Sequence, residues 1–73
     1  MDIRDLKGKT VYADLFEHGN KIGEIQGILV YFNFDHPVIH IEDYIIANLE
    51  GELTQGQFIV LNSNDWGKLR LQR

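Results

Sequence analysis

The segment from Ile22 to Phe34 constrains the fold most, because it is the longest continuous stretch of strand-forming residues in the chain. Two glycines, Gly23 and Gly27, lie inside it. A strand this long in a small protein must bend to stay over one core, and glycine permits that bend. The segment is therefore predicted to be the long, curved strand of a small β-barrel.

Side-chain alternation gives this long strand two largely apolar faces. One face carries Ile25, Gly27, Leu29, Tyr31 and Asn33. The other carries Ile28, Val30, Phe32 and Phe34. A strand with one solvated face would alternate with polar residues instead. Either the strand crosses from one side of a barrel to the other, or another chain covers one of its faces.

Shorter elements are predicted around the long strand from alternation, glycine and proline. They are a helical turn from Asp2 to Lys7, strands from Lys9 to Glu17, Val38 to Glu42 or Asp43, Gln57 to Leu61 and Trp66 to Leu71, and turn-rich residues 48–56 and 62–65. Residues 44–47 either continue the third strand or bend. The pattern predicts one all-β domain over residues 1–73, a five-stranded SH3-like or OB-like barrel behind a short N-terminal helical turn.

Length and composition limit how such a barrel can be stabilised. A core of 73 residues is marginal, and the chain has no cysteine, so disulfides are excluded. Self-association is the remaining common support, and we expect a homo-oligomer. The longest apolar run, Ile28 to Phe32, is too short to cross a membrane, and the first residues do not resemble a signal peptide. The sequence thus predicts a soluble, cytoplasmic protein.

Charge is distributed unevenly along the chain. Residues 1–9 carry a net +1 and residues 68–73 a net +3, whereas the residues between them carry a net −8. Ordinary solvated faces would explain this, and so would a bipolar surface on which a basic end meets the acidic flank of another protomer. A third interpretation is an inhibitor that mimics nucleic acid by presenting carboxylates in place of phosphates.

The order of elements resembles the Sm-like superfamily, small barrels that assemble into RNA-binding rings. The likeness is carried by the entry Leu6-Lys7-Gly8-Lys9-Thr10-Val11, the turn His18-Gly19, the kink Gln26-Gly27-Ile28-Leu29 and the closing segment from Gln57 to Asn64. The resemblance implies a barrel and a ring. The RNA-contacting motifs of that family are replaced here by Asn33-Phe34-Asp35-His36-Pro37 and by Asn62-Ser63.

No residue pattern indicates catalysis, a cofactor or a metal. His40 and Glu42 would share one strand face with His36 nearby, but a polar outer face explains them as well as a zinc site does. The acids Asp14, Glu24, Asp35 and Asp43 show no spacing that selects a general acid–base pair. There is no phosphate-binding glycine loop and no nucleophile signature. We therefore expect a protein that is not an enzyme.

Aromatic and basic residues supply the two leading functional hypotheses. The first is a protein-interaction or assembly module whose contact residues are Val30, Phe32, Phe34, Phe58 and Trp66. The alternative is an RNA-binding Sm-like protein, with phosphate contacts from Lys68, Arg70 and Arg73. In a strand, Trp66 would lie on the same face as Lys68 and Arg70, an arrangement that fits stacking of its ring on a base. The favoured interpretation is instead that Trp66 covers the core or an interface.

Overall fold

The computed structural model describes residues 3–33 and 35–72, which form a four-stranded antiparallel sheet in the order β1-β2-β3-β4. The elements are a 3₁₀ turn at Ile3–Leu6, β1 at Thr10–Glu17, β2 at Asn20–Asn33, β3 at Val38–Asn48 and β4 at Leu53–Leu61. The all-β prediction is confirmed. In the part of the chain covered by these ranges, no helix has the length and apolar character needed to span a bilayer.

The core draws side chains from all four strands, from the 3₁₀ turn and from the C-terminal segment. Its buried members are Leu6, Val11, Ala13, Leu15, Ile25, Leu29, Ile39, Ile41, Leu61 and Leu69. Five half-buried residues pack against them: Phe32, Tyr44, Ile46, Ile59 and Trp66. The alternation from which β1 was predicted is confirmed, because every second residue of that strand from Val11 to Leu15 is buried.

The N-terminal turn is held to the sheet by its exit into β1. Leu6 is buried, and Gly8 leaves the turn with a positive φ of 84°. The Gly8 amide donates to the Leu29 carbonyl at 2.7 Å, and the Leu29 amide donates to the Lys9 carbonyl at 3.1 Å. The predicted helical turn is thus a short 3₁₀ turn anchored on β2. Asp2, the first residue of the predicted turn, lies outside the described residues.

Gly27 allows β2 to pass very close to β3. A Cβ atom at this position would lie 2.8 Å from the Glu42 carbonyl oxygen and would also collide with the Ile41 side chain. The pairing of β2 with β3 shifts by one residue here, between Gln26 and Ile28. The predicted bend in the long strand therefore coincides with a glycine that no larger residue can replace without displacing backbone.

The predicted faces of β2 are correct up to Leu29 and wrong beyond it. Leu29 is buried, but Tyr31, predicted to share its face, is exposed. Phe32, predicted on the opposite face, packs against the core instead. The reason is a second register shift between Leu29 and Tyr31, because an irregularity of one residue reverses the faces of everything that follows.

β3 continues as a strand through Asn48, with a change of face at Asp43. Asp43 has a positive φ of 51°, and both it and Glu42 are exposed. After this irregularity, Tyr44 and Ile46 turn their side chains toward the core. Of the two predicted continuations of this strand, the structure has the extended one.

β4 begins four residues earlier than the sequence predicts. The Asn48 side-chain oxygen accepts hydrogen bonds from the backbone amides of Glu50 and Glu52, at 3.0 and 2.9 Å. This compact Asx-type turn reverses the chain early, so residues 53–56 are paired with β3 rather than in a loop. Gly56 is tolerated there because the Tyr44 ring occupies the space of the missing side chain.

The prediction of a fifth strand from Trp66 to Leu71 is wrong, because these residues do not form a continuous strand. The segment meets β1 in two isolated bridges, Leu15 with Trp66 and Tyr12 with Arg70. Trp66 and Arg70 are four residues apart, whereas their partners on β1, Leu15 and Tyr12, are three apart. The C-terminal segment therefore has one extra residue, which interrupts the pattern of hydrogen bonds between the two strands. Among the described residues the segment does not pair with β4. The sheet is therefore not closed, and the predicted five-stranded barrel is replaced by an open four-stranded sheet.

Candidate functional site

An exposed aromatic and apolar surface lies on the side of the sheet that faces away from the core. It consists of Tyr31, His40, Phe58 and Val60, and is called the outer patch below. The exposed fractions of Tyr31, Phe58 and Val60 are 42%, 52% and 45%, so each of these side chains meets solvent over about half its surface. Cross-strand pairing places His40 directly between Tyr31 on β2 and Val60 on β4.

The rings of the outer patch are in contact with one another. The ring centroids of Tyr31 and His40 are 4.6 Å apart at an interplanar angle of 41°. Those of His40 and Phe58 are 5.4 Å apart at 81°, an edge-to-face arrangement. Such contacts restrict the side-chain rotamers, so the outer patch presents a partly ordered aromatic surface over three strands.

This arrangement gives the histidine a packing role. His40 lies among aromatic rings, with Glu42 further along the same strand. Within residues 3–33 and 35–72, no group of three or more histidine, cysteine or acidic side chains could hold a metal ion together. The zinc hypothesis of His36, His40 and Glu42 thus finds no support in the geometry of the described chain.

The predicted interface residues are divided between the core and the surface. Phe58 lies in the outer patch, and Val30 is half-buried. Phe32 and Trp66 pack together edge to face, with ring centroids 6.2 Å apart at 83°, against the core. The indole Nε1 of Trp66 is buried and has no hydrogen-bond partner among the described residues. Phe34 lies outside them. Their role in assembly stays a prediction.

A network of four charged side chains lies on β1, β2 and the C-terminal segment. Asp14 and Glu24 are cross-strand partners, an arrangement that would be repulsive alone. The Nζ of Lys21 lies 3.4 Å from a carboxylate oxygen of each acid. An Arg70 guanidinium nitrogen lies 3.1 Å from Asp14 and 3.6 Å from Glu24. Two cations thus bridge two anions.

The network favours the charged forms of Asp14 and Lys21. Desolvation tends to raise the pKa of Asp14, but the hydrogen bonds from Arg70 and Lys21 outweigh it and hold that pKa below its ordinary value of 3.8. The hydrogen bond to Glu24, followed by the one to Asp14, raises the pKa of Lys21 above 10.5. Asp14 therefore stabilises the fold above pH 3.8, and this contribution is lost as the pH falls through its lowered pKa.

We expect Asp14→Asn to lower the melting temperature by a few degrees at pH 7, because it leaves Arg70 and Lys21 with Glu24 as the one acid of the network. The difference from the wild-type protein should shrink below pH 3.8, where Asp14 itself becomes protonated. Thermal unfolding at several pH values checks this. A difference that stays constant through that range would show that the charge of Asp14 is not what stabilises the fold.

The basic residues predicted to contact nucleic acid differ in their exposure and in their partners. Lys68 is exposed, whereas Arg70 is half-buried and engaged with Asp14 and Glu24. Arg73 lies outside the described residues. An arginine held by two carboxylates is less available to a phosphate than a solvated one. Its interactions therefore favour a structural role for Arg70.

Comparison with known proteins places the chain in no family. No protein-family model matches the sequence, and no curated protein matches it either. The function is therefore argued from the geometry described above.

Sequence reasoning found Phe58 but missed the other members of the outer patch as contact residues. Val60 follows Phe58 at the same strand parity, and His40 lies on the predicted polar face of β3, so both signals were present in the sequence. Tyr31 gave no such signal, because its exposure depends on the register shift after Leu29. The pairing of Asp14 with Glu24 required the hairpin register as well.

Proposed function

We propose that this protein is a non-enzymatic interaction and assembly module that forms a homo-oligomer through the outer patch. One observation carries the proposal: Tyr31, His40 and Phe58 form a continuous, ordered aromatic surface in solvent, away from the core. Scattered exposed apolar residues are ordinary on protein surfaces. A contiguous aromatic group is typical of contact sites.

The energetics of the outer patch favour assembly. Burying one Phe side chain contributes roughly 1.5–3 kcal/mol, and aromatic residues are enriched among the residues that dominate interface energies. Phe58 is half-exposed and already positioned by the His40 ring, so little further side-chain entropy is lost when it becomes buried. The outer patch can therefore provide a strong contact from few residues.

The size of the chain also supports self-association. A domain of 73 residues without cysteine buries a small core and has no disulfide to stabilise it. Proteins in this range often gain stability by pairing with a copy of themselves. Assembly through the outer patch would cover aromatic surface and enlarge the apolar interior at the same time.

Phe58→Asp should convert the oligomer to monomer and weaken association about a hundredfold or more, because it removes an apolar contact and places a charge in the interface. Sedimentation velocity over a range of concentrations measures this. Leu49→Asp is the matched control, since Leu49 is 67% exposed in the β3–β4 turn, outside the outer patch. Equal association of the two variants would contradict the proposal.

RNA binding, implied by the Sm-like resemblance, is the second proposal. It is supported by the order of elements: a short turn, a four-stranded meander and a C-terminal segment beside β1. Phosphate contacts make affinity fall steeply with salt, whereas an aromatic interface is much less sensitive. Binding of a fluorescent single-stranded RNA, measured at two salt concentrations with wild-type protein and Lys68→Glu, distinguishes the two proposals.

A further inference from the structure

We propose that two copies of this chain pair through the outer edge of β4, in antiparallel and two-fold symmetric fashion, so that their sheets join into one of eight strands. This inference rests on the proposed assembly function and specifies the edge and the symmetry, because a two-fold axis through β4 places the outer patches of the two copies side by side on one face of the joined sheet. The partner is a second copy of the chain.

The two edges of the sheet are treated differently. Along β1, the C-terminal segment covers the backbone: Phe16 N donates to the Asp65 carbonyl at 2.9 Å, and Tyr12 and Arg70 exchange hydrogen bonds at 2.8 and 2.9 Å. Along β4, the described residues provide no backbone partner on the side away from β3. One edge is therefore protected, and the other presents a nine-residue strand with unpaired backbone groups.

β4 lacks the features that usually prevent edge pairing. Exposed edges are commonly protected by lysine, proline, inward charges or short strands. Between Glu52 and Asp65 this chain has no charged residue and no proline. Because the molecule as a whole carries a net charge of −4, two copies repel each other over most approaches. The uncharged β4 edge is a place where they can meet without like charges in contact.

Geometry favours a two-fold pairing over a head-to-tail one. A head-to-tail contact needs a second regular edge on the same molecule, and the C-terminal segment makes only isolated bridges with a bend at Leu71. Two copies of β4 can instead pair over all nine residues, from Leu53 to Leu61, if the two-fold axis passes through Gln57. In this register Phe58 lies opposite Gly56 of the second copy, beside the Tyr44 ring that covers that glycine.

The symmetry can be tested by placing a charge at the two-fold axis, because Gln57 of one copy lies opposite Gln57 of the other there. Gln57→Lys and Gln57→Glu should each weaken self-association by about tenfold or more, since like charges directly opposite are destabilising. An equimolar mixture of the two variants should recover association, as lysine then faces glutamate. Asn62→Lys, in the loop after β4, adds the same charge off the axis and should associate as the wild type does.

Sedimentation equilibrium of the single variants, the mixture and the wild-type protein gives the result. Loss of association in each single variant and recovery in the mixture support edge pairing about Gln57. An oligomer that survives in both single variants overturns edge pairing while leaving assembly through the outer patch standing, since that patch is unchanged in them. Loss without recovery overturns the two-fold register. A monomeric wild-type protein overturns both proposals.

Discussion

Gly27→Ala should destabilise the fold by roughly 2–4 kcal/mol, one of the largest effects expected of any single methyl group in this chain. The added Cβ would lie 2.8 Å from the Glu42 carbonyl oxygen, and it would also meet the Ile41 side chain. Neither neighbour can yield easily, because Glu42 contributes backbone of a paired strand and Ile41 is fully buried. Relief would require β2 and β3 to separate.

Urea unfolding of the variant and the wild-type protein measures this effect. Gln26→Ala is the matched control, because it changes the preceding residue of the same strand without adding an atom toward β3. Both variants should be compared at one protein concentration, since association raises apparent stability. If Gly27→Ala unfolds within about 0.5 kcal/mol of the wild-type protein, the close approach of β2 and β3 at this glycine is wrong.

Leu69→Ala should cost about 2–3 kcal/mol, although Leu69 lies close to the C-terminus and in no regular strand. Its side chain is buried in the core beside residues of the sheet. A domain of this size has roughly 4–11 kcal/mol of total stability, so the loss would be a large fraction of it. The result would show that residues 65–70 complete the core even though they add no continuous strand.

The matched control for Leu69 is its exposed neighbour. Lys68→Ala deletes more side-chain atoms than Leu69→Ala does, but those atoms are exposed to solvent. It should therefore change the free energy of unfolding by less than about 0.5 kcal/mol. Thermal and urea unfolding of the two variants give the comparison. Equal effects, whether small or large, would contradict the assignment of Leu69 to the core and Lys68 to the surface.

The sequence predicted the elements of this fold better than their pairing. Alternation in β1 and the turn at His18 and Gly19 follow from local residue preferences, and the structure confirms both. The faces of β2 after Leu29 do not, because a register shift depends on how two strands fit each other rather than on either sequence alone. The same limit explains the fifth strand, where an extra residue against β1 interrupts the ladder.

The candidate site shows the same division. Phe58 was identified as a contact residue because an aromatic side chain in a short strand is visible from the sequence. The bridging of Asp14 and Glu24 by Arg70 was not visible, since these residues meet only when the C-terminal segment returns to β1. Arg70, predicted as a phosphate contact, is a member of an ion-pair network, and its contact with nucleic acid stays a prediction. The assembly role of Phe32 and Trp66, which pack against the core, stays a prediction.

Native mass spectrometry of the wild-type protein, purified without nuclease, tests the central claim of assembly most directly. We expect a homo-oligomer whose mass is a whole multiple of the 8.5 kDa chain, without bound nucleic acid. Pairing through β4 predicts that this multiple is two. A monomer at every concentration would contradict assembly, and an oligomer carrying oligonucleotide would instead support the RNA-binding proposal.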